Sequence, residues 1–217
     1  MAHVAKYAAS ASGHLTAHYE RRKDAKGEYI KFGNQDIDTS RSHLNYNMAP
    51  EREGGQLAYL RQRTTEARTL KRDDVKVMCS WVVTLPTYQW HDPSKHVSMD
   101  PEKVEKLFFE RTYQFLQKRY GGEKNVISAW VHRDEHRPHM HFAFVPVTPD
   151  PKKGGEKVSA KDVLTREDLR SFHADLERHL DSFHDWHFEV VNEATKDGNK
   201  TIAELKKATA HQEVLQA

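Results

Sequence analysis

Two apolar, strand-like runs joined by a short polar segment constrain the fold of this chain more than any other sequence feature. Residues 126–131 and 142–147 are rich in β-branched and aromatic residues, which is typical of strands. The two runs are separated by the segment His132-Arg133-Asp134-Glu135-His136-Arg137-Pro138-His139-Met140-His141. Its polar residues and its proline indicate a turn. Strands joined by so short a connection pair antiparallel. The sequence therefore predicts a β-hairpin with histidines clustered at one end.

Three histidines of this hairpin are placed to converge. Side chains alternate between the two faces of a strand, so His139 and His141 point to the same side, and His132 ends the neighbouring strand. Three neutral imidazoles with an open coordination position form a catalytic kind of metal site, which favours Mn, Co, Ni, Zn or Cu over Mg and Ca. Asp134 and Glu135 are candidate supporting groups or proton acceptors. The alternative is a purely structural set, because paired histidines arise by chance in a chain with 15 of them.

Strand and helix patterns alternate along the rest of the chain, and we find no internal repeat and no linker that divides it. Residues 75–85 have apolar side chains at every second position, as in a strand. Asp100-Pro101, and Thr165 with Asp168, are typical of helix starts. Further strands are predicted at residues 3–7 and 186–191, helices at 13–23, 56–72, 101–120, 165–183 and 201–216, and loops at 29–50 and 148–161. We therefore expect an α+β fold, a two-layer sandwich in which helices cover an antiparallel sheet.

The composition narrows the class of protein. The 217-residue chain is 37% hydrophobic and 30% charged, with a formal net charge of +2, so its charge alone does not indicate a nucleic-acid partner. No apolar run is long enough to span a bilayer, and no signal peptide is recognisable. The single cysteine, Cys79, argues against a disulfide scaffold and fits a reducing compartment. These features predict a cytoplasmic protein without membrane contact.

Two further motifs carry side chains suited to phosphate chemistry. In the segment 13–21, a helix would place His14, His18 and Arg21 on one face, where His18 offers a nucleophile or base and Arg21 an anion contact. The segment Ser40-Arg41-Ser42-His43-Leu44-Asn45-Tyr46 has side chains that contact phosphates and bases, and Tyr46 could stack or attack. On the pattern alone, a surface helix and an ordinary polar loop are the simpler explanations.

The three motifs together resemble those of a known family. Residues 132–141 resemble the signature of the Mob/Pre (MobV-class) plasmid mobilisation relaxases, Ser40 to Tyr46 resembles their SRSHLNY block, and His18-Tyr19-Glu20-Arg21 resembles their HNER block. Trp81-Val82-Val83-Thr84 and Ser159-Ala160-Lys161 also lie where that family has similar runs. The order and rough spacing agree to about residue 205. His136-Arg137 departs from the small polar residues usual in the family.

The resemblance implies a fold, an activity and a set of roles. The fold would be that of the histidine-hydrophobic-histidine (HUH) endonucleases, an antiparallel sheet of about five strands flanked by helices. The activity would be metal-dependent nicking and rejoining of one DNA strand at a plasmid or mobile-element transfer origin. His132, His139 and His141 would bind the metal, most commonly Mn²⁺, with Zn²⁺, Co²⁺, Ni²⁺ or Mg²⁺ as alternatives. His18 would bond covalently to the 5′ phosphate, Arg21 would steady that phosphate, and Glu135 would orient or deprotonate His18.

The resemblance also implies partners and domain limits. The partner would be origin DNA with a hairpin and a single-stranded nick region, in the cytoplasm of a bacterium. Residues 1–200 would form the relaxase catalytic domain, and residues 201–217 a helical extension toward a C-terminal region absent from this chain. In the family that region serves dimerisation or membrane association. The predicted DNA contacts are Arg22, Lys23, Arg41, Ser42, His43, Asn45, Tyr46 and Arg72.

Two other interpretations stay open on the sequence. Relatives in the wider superfamily use tyrosine as the nucleophile, so a replication-initiator or transposase-like nickase would use Tyr19 or Tyr46. A non-catalytic repressor would bind DNA and use the metal only to stabilise its fold.

Overall fold

The computed structural model of the chain describes residues 2–30, 37–92, 94 and 98–192. The helix predicted at residues 201–216, and the extension 201–217 with it, lies outside the described residues. The strands are β1 (Ala2–Ala8), β2 (Tyr46–Asn47), β3 (Lys76–Thr84), β4 (Tyr88–Trp90), β5 (Val126–His132), β6 (His139–Phe144), β7 (Val147–Pro149), β8 (Glu156–Val158) and β9 (Trp186–Phe188). The α-helices are α1 (Ala9–Tyr19), α2 (Gly55–Glu66), α3 (Pro101–Arg119), α4 (Ala160–Val163) and α5 (Arg166–Asp181). Of the helices described, none has the length and apolar character needed to cross a membrane.

Five antiparallel strands form the central sheet, in the order β1-β3-β6-β5-β2. The predicted hairpin is β5 and β6, joined by residues 133–138. Strand β6 is the middle strand, and all six of its residues are buried. Because neighbours flank it on both sides, the histidines that begin β6 lie well inside the sheet.

Helices cover both faces of this sheet. On one face, α3 and α5 pack against it, and Trp81 of β3 stacks on Phe172 of α5 with ring centroids 3.6 Å apart. Trp81 Nε1 also donates a 2.9 Å hydrogen bond to the Tyr120 hydroxyl, which satisfies the buried indole. On the other face, α1 and α2 contribute Tyr19 and Leu60 to a second apolar cluster. The expected α+β fold, with five antiparallel strands flanked by helices, is confirmed. The sheet lies between two helical layers and not in the two-layer sandwich that the sequence predicts, because α1 and α2 cover the second face.

Two helices end earlier than their sequence patterns predict. Helix α1 spans Ala9–Tyr19 rather than residues 13–23, because Arg21 adopts a left-handed φ of 48° and turns its side chain inward. Helix α2 ends at Glu66 rather than at residue 72, because the backbone N–H of Arg68 donates to the Glu156 carbonyl of β8 at 2.9 Å. In both places a tertiary contact overrides the local helix-forming composition.

Short strands account for the other differences. Strands β2, β4, β7 and β8 are two or three residues long, too short to show a period in the sequence. Strands β2 and β8 lie in segments predicted as loops. Strand β9 occupies the start of the strand predicted at residues 186–191, and it pairs with β4 in a separate two-stranded sheet. The small sheet therefore extends the fold beside α5 and does not widen the central sheet.

An ion pair joins α3 to the segment before β9. The Arg111 guanidinium donates two 2.6 Å hydrogen bonds to Asp185. Burial opposes the charge on this carboxyl, but the bonds from Arg111 outweigh burial and hold its pKa below the usual 3.8. A carboxyl with a lowered folded-state pKa stabilises the fold above its unfolded pKa, and this stability is lost as the pH falls through the folded value.

We therefore expect Asp185→Asn to lower the free energy of unfolding at neutral pH by about 1–3 kcal/mol. The difference from the parent should shrink below about pH 4, because the parent carboxyl then begins to take up its proton. Urea denaturation of both proteins at several pH values measures this. The surface pair of Asp162 with Lys157 provides the control, since Asp162→Asn should change little at any pH. A difference between Asp185→Asn and its parent that stays constant into acid would contradict the expectation.

Candidate metal centre and nucleophile

The hairpin brings three histidines together on one face of the central sheet. His132 ends β5 and lies opposite His139, the first residue of β6. His141 lies two residues further along β6, opposite Trp130. The ring centroid of His132 is 5.4 Å from that of His139 and 4.7 Å from that of His141, and 4.9 Å separates the latter two. Strand pairing alone thus sets the spacing of these imidazoles.

Burial keeps the histidines of β6 uncharged. His132 is fully buried, and His139 and His141 each expose 9% of their surface. Burial lowers the pKa of His139, and it lowers the pKa of His141 well below the usual 6.5, with His132 lowering both further. A neutral imidazole keeps a lone pair on one ring nitrogen, which is the form that binds metal ions.

The ring nitrogens of β6 point toward one another. His139 Nδ1 donates to the Arg137 carbonyl at 2.9 Å, which leaves Nε2 as the unprotonated nitrogen of a neutral ring. That Nε2 lies 3.1 Å from Nε2 of His141, whose Nδ1 is buried and has no hydrogen-bond partner among the described residues. Two ring nitrogens this close either share a proton or converge on a common cation. The donor set therefore suits a divalent metal.

Two overlapping groups of side chains could hold such an ion within the part of the chain that the structure describes. In each group, the ligand atoms lie within 4.8 Å of one another. One group is His18, His132 and His141, and the other is His132, Glu135 and His139. Neither group contains all three predicted ligands. His141 belongs to the first group, His139 to the second, and His132 to both.

His18 lies beside this cluster, although it precedes the hairpin by more than a hundred residues. It occupies the last turn of α1, and its ring centroid is 5.6 Å from His132 and 5.5 Å from His141. The next residue anchors the helix end, because Tyr19 stacks on His141 at 4.7 Å and its carbonyl accepts a 2.9 Å hydrogen bond from His132 Nε2. Burial, followed by the charge of Arg21, lowers the pKa of His18 to about 4. The ring is therefore neutral at physiological pH.

Arg21 links His18 to the acidic residues of the hairpin. Its Nη1 lies 3.1 Å from His18 Nδ1 and donates to the His18 carbonyl at 3.1 Å. Its Nη2 donates to Glu135 at 2.6 Å and lies 2.9 Å from His132 Nδ1. Burial opposes the charge on Glu135, but the contact with His132 and the hydrogen bond from the charged Arg21 lower its pKa to about 2. A carboxylate and a guanidinium thus lie together beside the neutral His18 ring.

The Ser40–Tyr46 motif packs against the other acidic residue of the hairpin. The Ser42 hydroxyl and the Asn45 amide donate to Asp134 Oδ2 at 2.6 and 2.8 Å. Asn45 Oδ1 also accepts from the Arg133 backbone N–H at 2.7 Å. Ser42 is buried, so its side chain and that of Asn45 support the hairpin from within.

The remaining predicted DNA contacts divide by position. Arg41 lies with His136 at a cleft of about 480 Å³ whose other lining residues are Asp38, Asp134 and Glu135. His43 is exposed nearby, with its Nδ1 donating to the Ser40 carbonyl at 2.8 Å. Arg72 instead lines a separate cleft of about 660 Å³ between α1 and α2. The structure places Arg41 beside Glu135 at the edge of the histidine cluster, keeps His43 in the same short helix as Arg41, and leaves Arg72 apart from the cluster.

Arg22 and Lys23 follow Arg21 on the surface. Arg22 forms an ion pair with Glu20 at 2.6 Å, and Lys23 Nζ lies 4.7 Å from the centroid of the Tyr29 ring. Tyr46 is half-buried, and its hydroxyl lacks a hydrogen-bond partner among the described residues. The sequence motif suggests Tyr19 only as a rival nucleophile. Its role as the anchor of α1 cannot be predicted from the sequence, because α1 has no strong apolar periodicity.

Comparison with known proteins assigns the chain to a family. The family model described as plasmid recombination enzyme (Mob_Pre) matches residues 1–185. A plasmid recombination enzyme from Streptococcus agalactiae is 31% identical over 187 residues, covering 83% of this chain and 34% of the relative. One from Bacillus thuringiensis is 32% identical over 175 residues, covering 80% of this chain and 35% of the relative. The chain thus spans about a third of the length of these curated relatives.

Solved structures agree with this assignment. A crystal structure of the MobM relaxase domain, Mn-bound and in complex with oriT DNA of plasmid pMV158, superposes with a TM-score of 0.70 at 29% identity. The match covers 96% of this chain and 97% of the MobM chain. A second MobM complex with the same origin has a TM-score of 0.69 at 28% identity and covers 95% and 98% of the two chains. The chain therefore belongs to the Mob/Pre family of plasmid recombination enzymes.

Proposed function

We propose that this chain is the catalytic domain of a metal-dependent DNA relaxase, which nicks and rejoins one strand at a plasmid or mobile-element transfer origin. The observation that carries the proposal is the position of His18, a neutral imidazole 5.5 Å from His141 at the edge of the histidine cluster. The similarity to Mn-bound MobM relaxase domains in complex with oriT DNA supports it.

His132, His139 and His141 are the residues proposed to hold the metal, with Mn²⁺ as the first choice because the MobM neighbours contain it. The uncharged rings of His139 and His141 and the 3.1 Å separation of their Nε2 atoms suit such an ion, as does His141 Nδ1, which has no hydrogen-bond partner among the described residues. When bound, a divalent cation offsets the negative charge that grows on the phosphate oxygens in the transition state.

His18 is proposed to attack the scissile phosphorus. Its lone pair forms an N–P bond to the 5′ phosphate while the P–O3′ bond breaks, and the released O3′ takes up a proton from solvent to become a hydroxyl. Glu135, ionised and linked to His18 through Arg21, would orient the ring or accept the one N–H proton that the ring still carries once the N–P bond has formed. Arg21 would steady the phosphate with its guanidinium. Because the N–P bond keeps the ester energy, attack by the 3′ hydroxyl reverses the step and rejoins the strand.

The tyrosine alternatives are less favourable. Tyr19 is 2% exposed and stacked on His141, and burial raises its pKa well above the usual 10. Burial also raises the pKa of Tyr46 to about 12. A phenol must lose its proton to attack a phosphate, and burial disfavours the phenolate in both residues. His18 needs no such ionisation.

The proposal extends to the form of the DNA and to the residues that bind it. We expect origin DNA with a hairpin and a single-stranded nick region, contacted by Arg22, Lys23, Arg41, His43, Tyr46 and Arg72, while Ser42 and Asn45 act through Asp134. Residues 1–200 would be the catalytic domain, the extension 201–217 would lead into the further length that the relatives have, and dimerisation would reside there.

Capture of covalent protein–DNA adducts tests the proposal even when the sequence of the origin is not known. The chain would be incubated with Mn²⁺ and a library of randomised single-stranded oligonucleotides, and complexes that survive boiling in detergent would be isolated and sequenced. We expect adducts on one strand polarity that share a common nick sequence, abolished by chelation of the metal. Binding without any adduct at any metal would favour the non-catalytic repressor.

A further inference from the structure

We infer that Asp134 is a positioning residue, which fixes the Arg21 guanidinium beside His18 and thereby sets the rate of strand cleavage. The inference rests on the proposed function. Asp134 is fully buried at the start of the connection between β5 and β6. There it contacts Arg21, which follows α1, and Ser42 of the Ser40–Tyr46 motif.

The two carboxylate oxygens of Asp134 have different partners. Oδ1 accepts one hydrogen bond, from Arg21 Nη2 at 2.8 Å. Oδ2 accepts three, from Arg21 Nε at 2.8 Å, Ser42 Oγ at 2.6 Å and Asn45 Nδ2 at 2.8 Å. Both oxygens therefore hold one edge of the Arg21 guanidinium in a planar, two-point pairing.

This pairing determines where the rest of the guanidinium points. With Nε and Nη2 held by Asp134, Nη1 is directed at the His18 ring, and Nη2 also reaches Glu135 at 2.6 Å. The Arg21 backbone is in the left-handed region at φ 48°, a conformation that costs free energy in a residue other than glycine. The buried pairing with Asp134 compensates for that cost and keeps the side chain turned inward.

The same carboxylate explains the inward-facing residues of the Ser40–Tyr46 motif. An ionised carboxylate without partners is very unfavourable in a protein interior. Burial raises the pKa of Asp134, but the donors of Arg21, Ser42 and Asn45 together hold it well below the usual range. The backbone is tied as well, since Asp38 N–H donates to the Asp134 carbonyl at 2.8 Å. The motif thus completes the set of donors that lets Asp134 stay charged while it holds Arg21.

The substitution Asp134→Asn tests the inference with little change in shape. Because three donors converge on Oδ2, the remaining amide oxygen should occupy that position and the amide NH₂ should face Arg21 Nη2, which is also a donor. Arg21 then loses one of its two points of attachment. We expect the single-turnover nicking rate to fall about 100-fold, as for a small misplacement of a catalytic group. The affinity for the nicked oligonucleotide and for Mn²⁺ should stay within about threefold, since Asp134 is fully buried and is in neither group of candidate metal ligands.

A double-mutant cycle with Arg21→Lys separates positioning from general stability. Lysine keeps the charge but lacks the planar fork, so in that background Asp134→Asn should change the rate by less than about threefold. A merely structural Asp134 would give the same fold-loss in both backgrounds, and that result would overturn the inference.

Further variants keep the test decisive. If Asp134→Asn folds poorly, Asp134→Glu takes its place in the test. It retains the charge, so it should be stable, but it should nick DNA slowly. Asp150 is a matched control, because it is also a buried aspartate paired with an arginine, Arg68, so Asp150→Asn should lower thermal stability and leave the rate intact. If the parent nicks DNA and both Asp134 variants nick it at the parent rate, this inference alone is overturned. Absence of nicking by the parent would overturn the proposed function and the inference together.

Discussion

Replacement of His18 by alanine should abolish the covalent adduct with DNA and lower the nicking rate at least about 10⁴-fold, because the substitution removes the attacking nitrogen itself. The side chain is half-buried at a helix end and the end of that helix is anchored by Tyr19, so the fold should be retained. Detergent-resistant adducts on labelled oligonucleotide, followed by mapping of the modified peptide by mass spectrometry, measure the effect.

Two tyrosine variants and one binding measurement complete this test. Tyr46→Phe should retain the adduct, and Tyr19→Phe should retain it as well, because both keep their rings in place. Mn²⁺ affinity of His18→Ala should be close to that of the parent if His18 acts as the nucleophile. A strong loss of Mn²⁺ affinity would instead make His18 a ligand with His132 and His141, as one of the two groups of candidate ligands allows. An adduct on either tyrosine would overturn the assignment of the nucleophile.

Removal of a ligand from β6 should have an effect of similar size. We expect His139→Ala or His141→Ala to weaken Mn²⁺ binding at least about 100-fold and to abolish nicking, because a three-imidazole site left with two donors loses much of its affinity. Isothermal titration with Mn²⁺ measures the first effect, and nicking after chelation and re-addition of Mn²⁺ measures the second. The parent should recover fully, whereas the variants should not recover at Mn²⁺ concentrations that saturate the parent.

His136 supplies the control within the same hairpin. It lies in the connection three residues before His139, but it is exposed and stands at the cleft beside Arg41. His136→Ala should therefore bind Mn²⁺ normally and affect DNA affinity at most. If His136→Ala lost the metal as severely as His139→Ala, the proposed ligand set would be wrong.

The parts of the fold that depend on local pattern could be predicted from the sequence. The hairpin of β5 and β6 is such a case, because the alternation of side chains along each strand and the short connection fix the register of His132 against His139. Helix α3 is another, since the predicted N-cap at Asp100 accepts from the Glu102 backbone N–H at 3.0 Å. These features need no information from distant residues.

The parts that depend on distant contacts could not be predicted from pattern. The end of α1 is set by the buried pairing of Arg21 with Asp134, which lies 113 residues further along the chain. For the same reason, composition could not distinguish a DNA contact from an internal support at Ser42 and Asn45, because both roles use the same small polar side chains. The proximity of His18 to the hairpin was inferred only from the family resemblance, and it needed the tertiary structure to become visible.

The strand order has a consequence for the timing of synthesis. Strand β1 leads directly into α1, the helix that carries His18, and among the described strands it pairs with β3. Strand β3 in turn pairs with β6, which carries His139 and His141. His18 and its partners can therefore meet only after the segment that contains His141 has been synthesised and has left the ribosome. Nascent and truncated polypeptides that stop short of β6 carry His18 without His139 and His141, so the histidine cluster forms in one step when β6 joins the sheet.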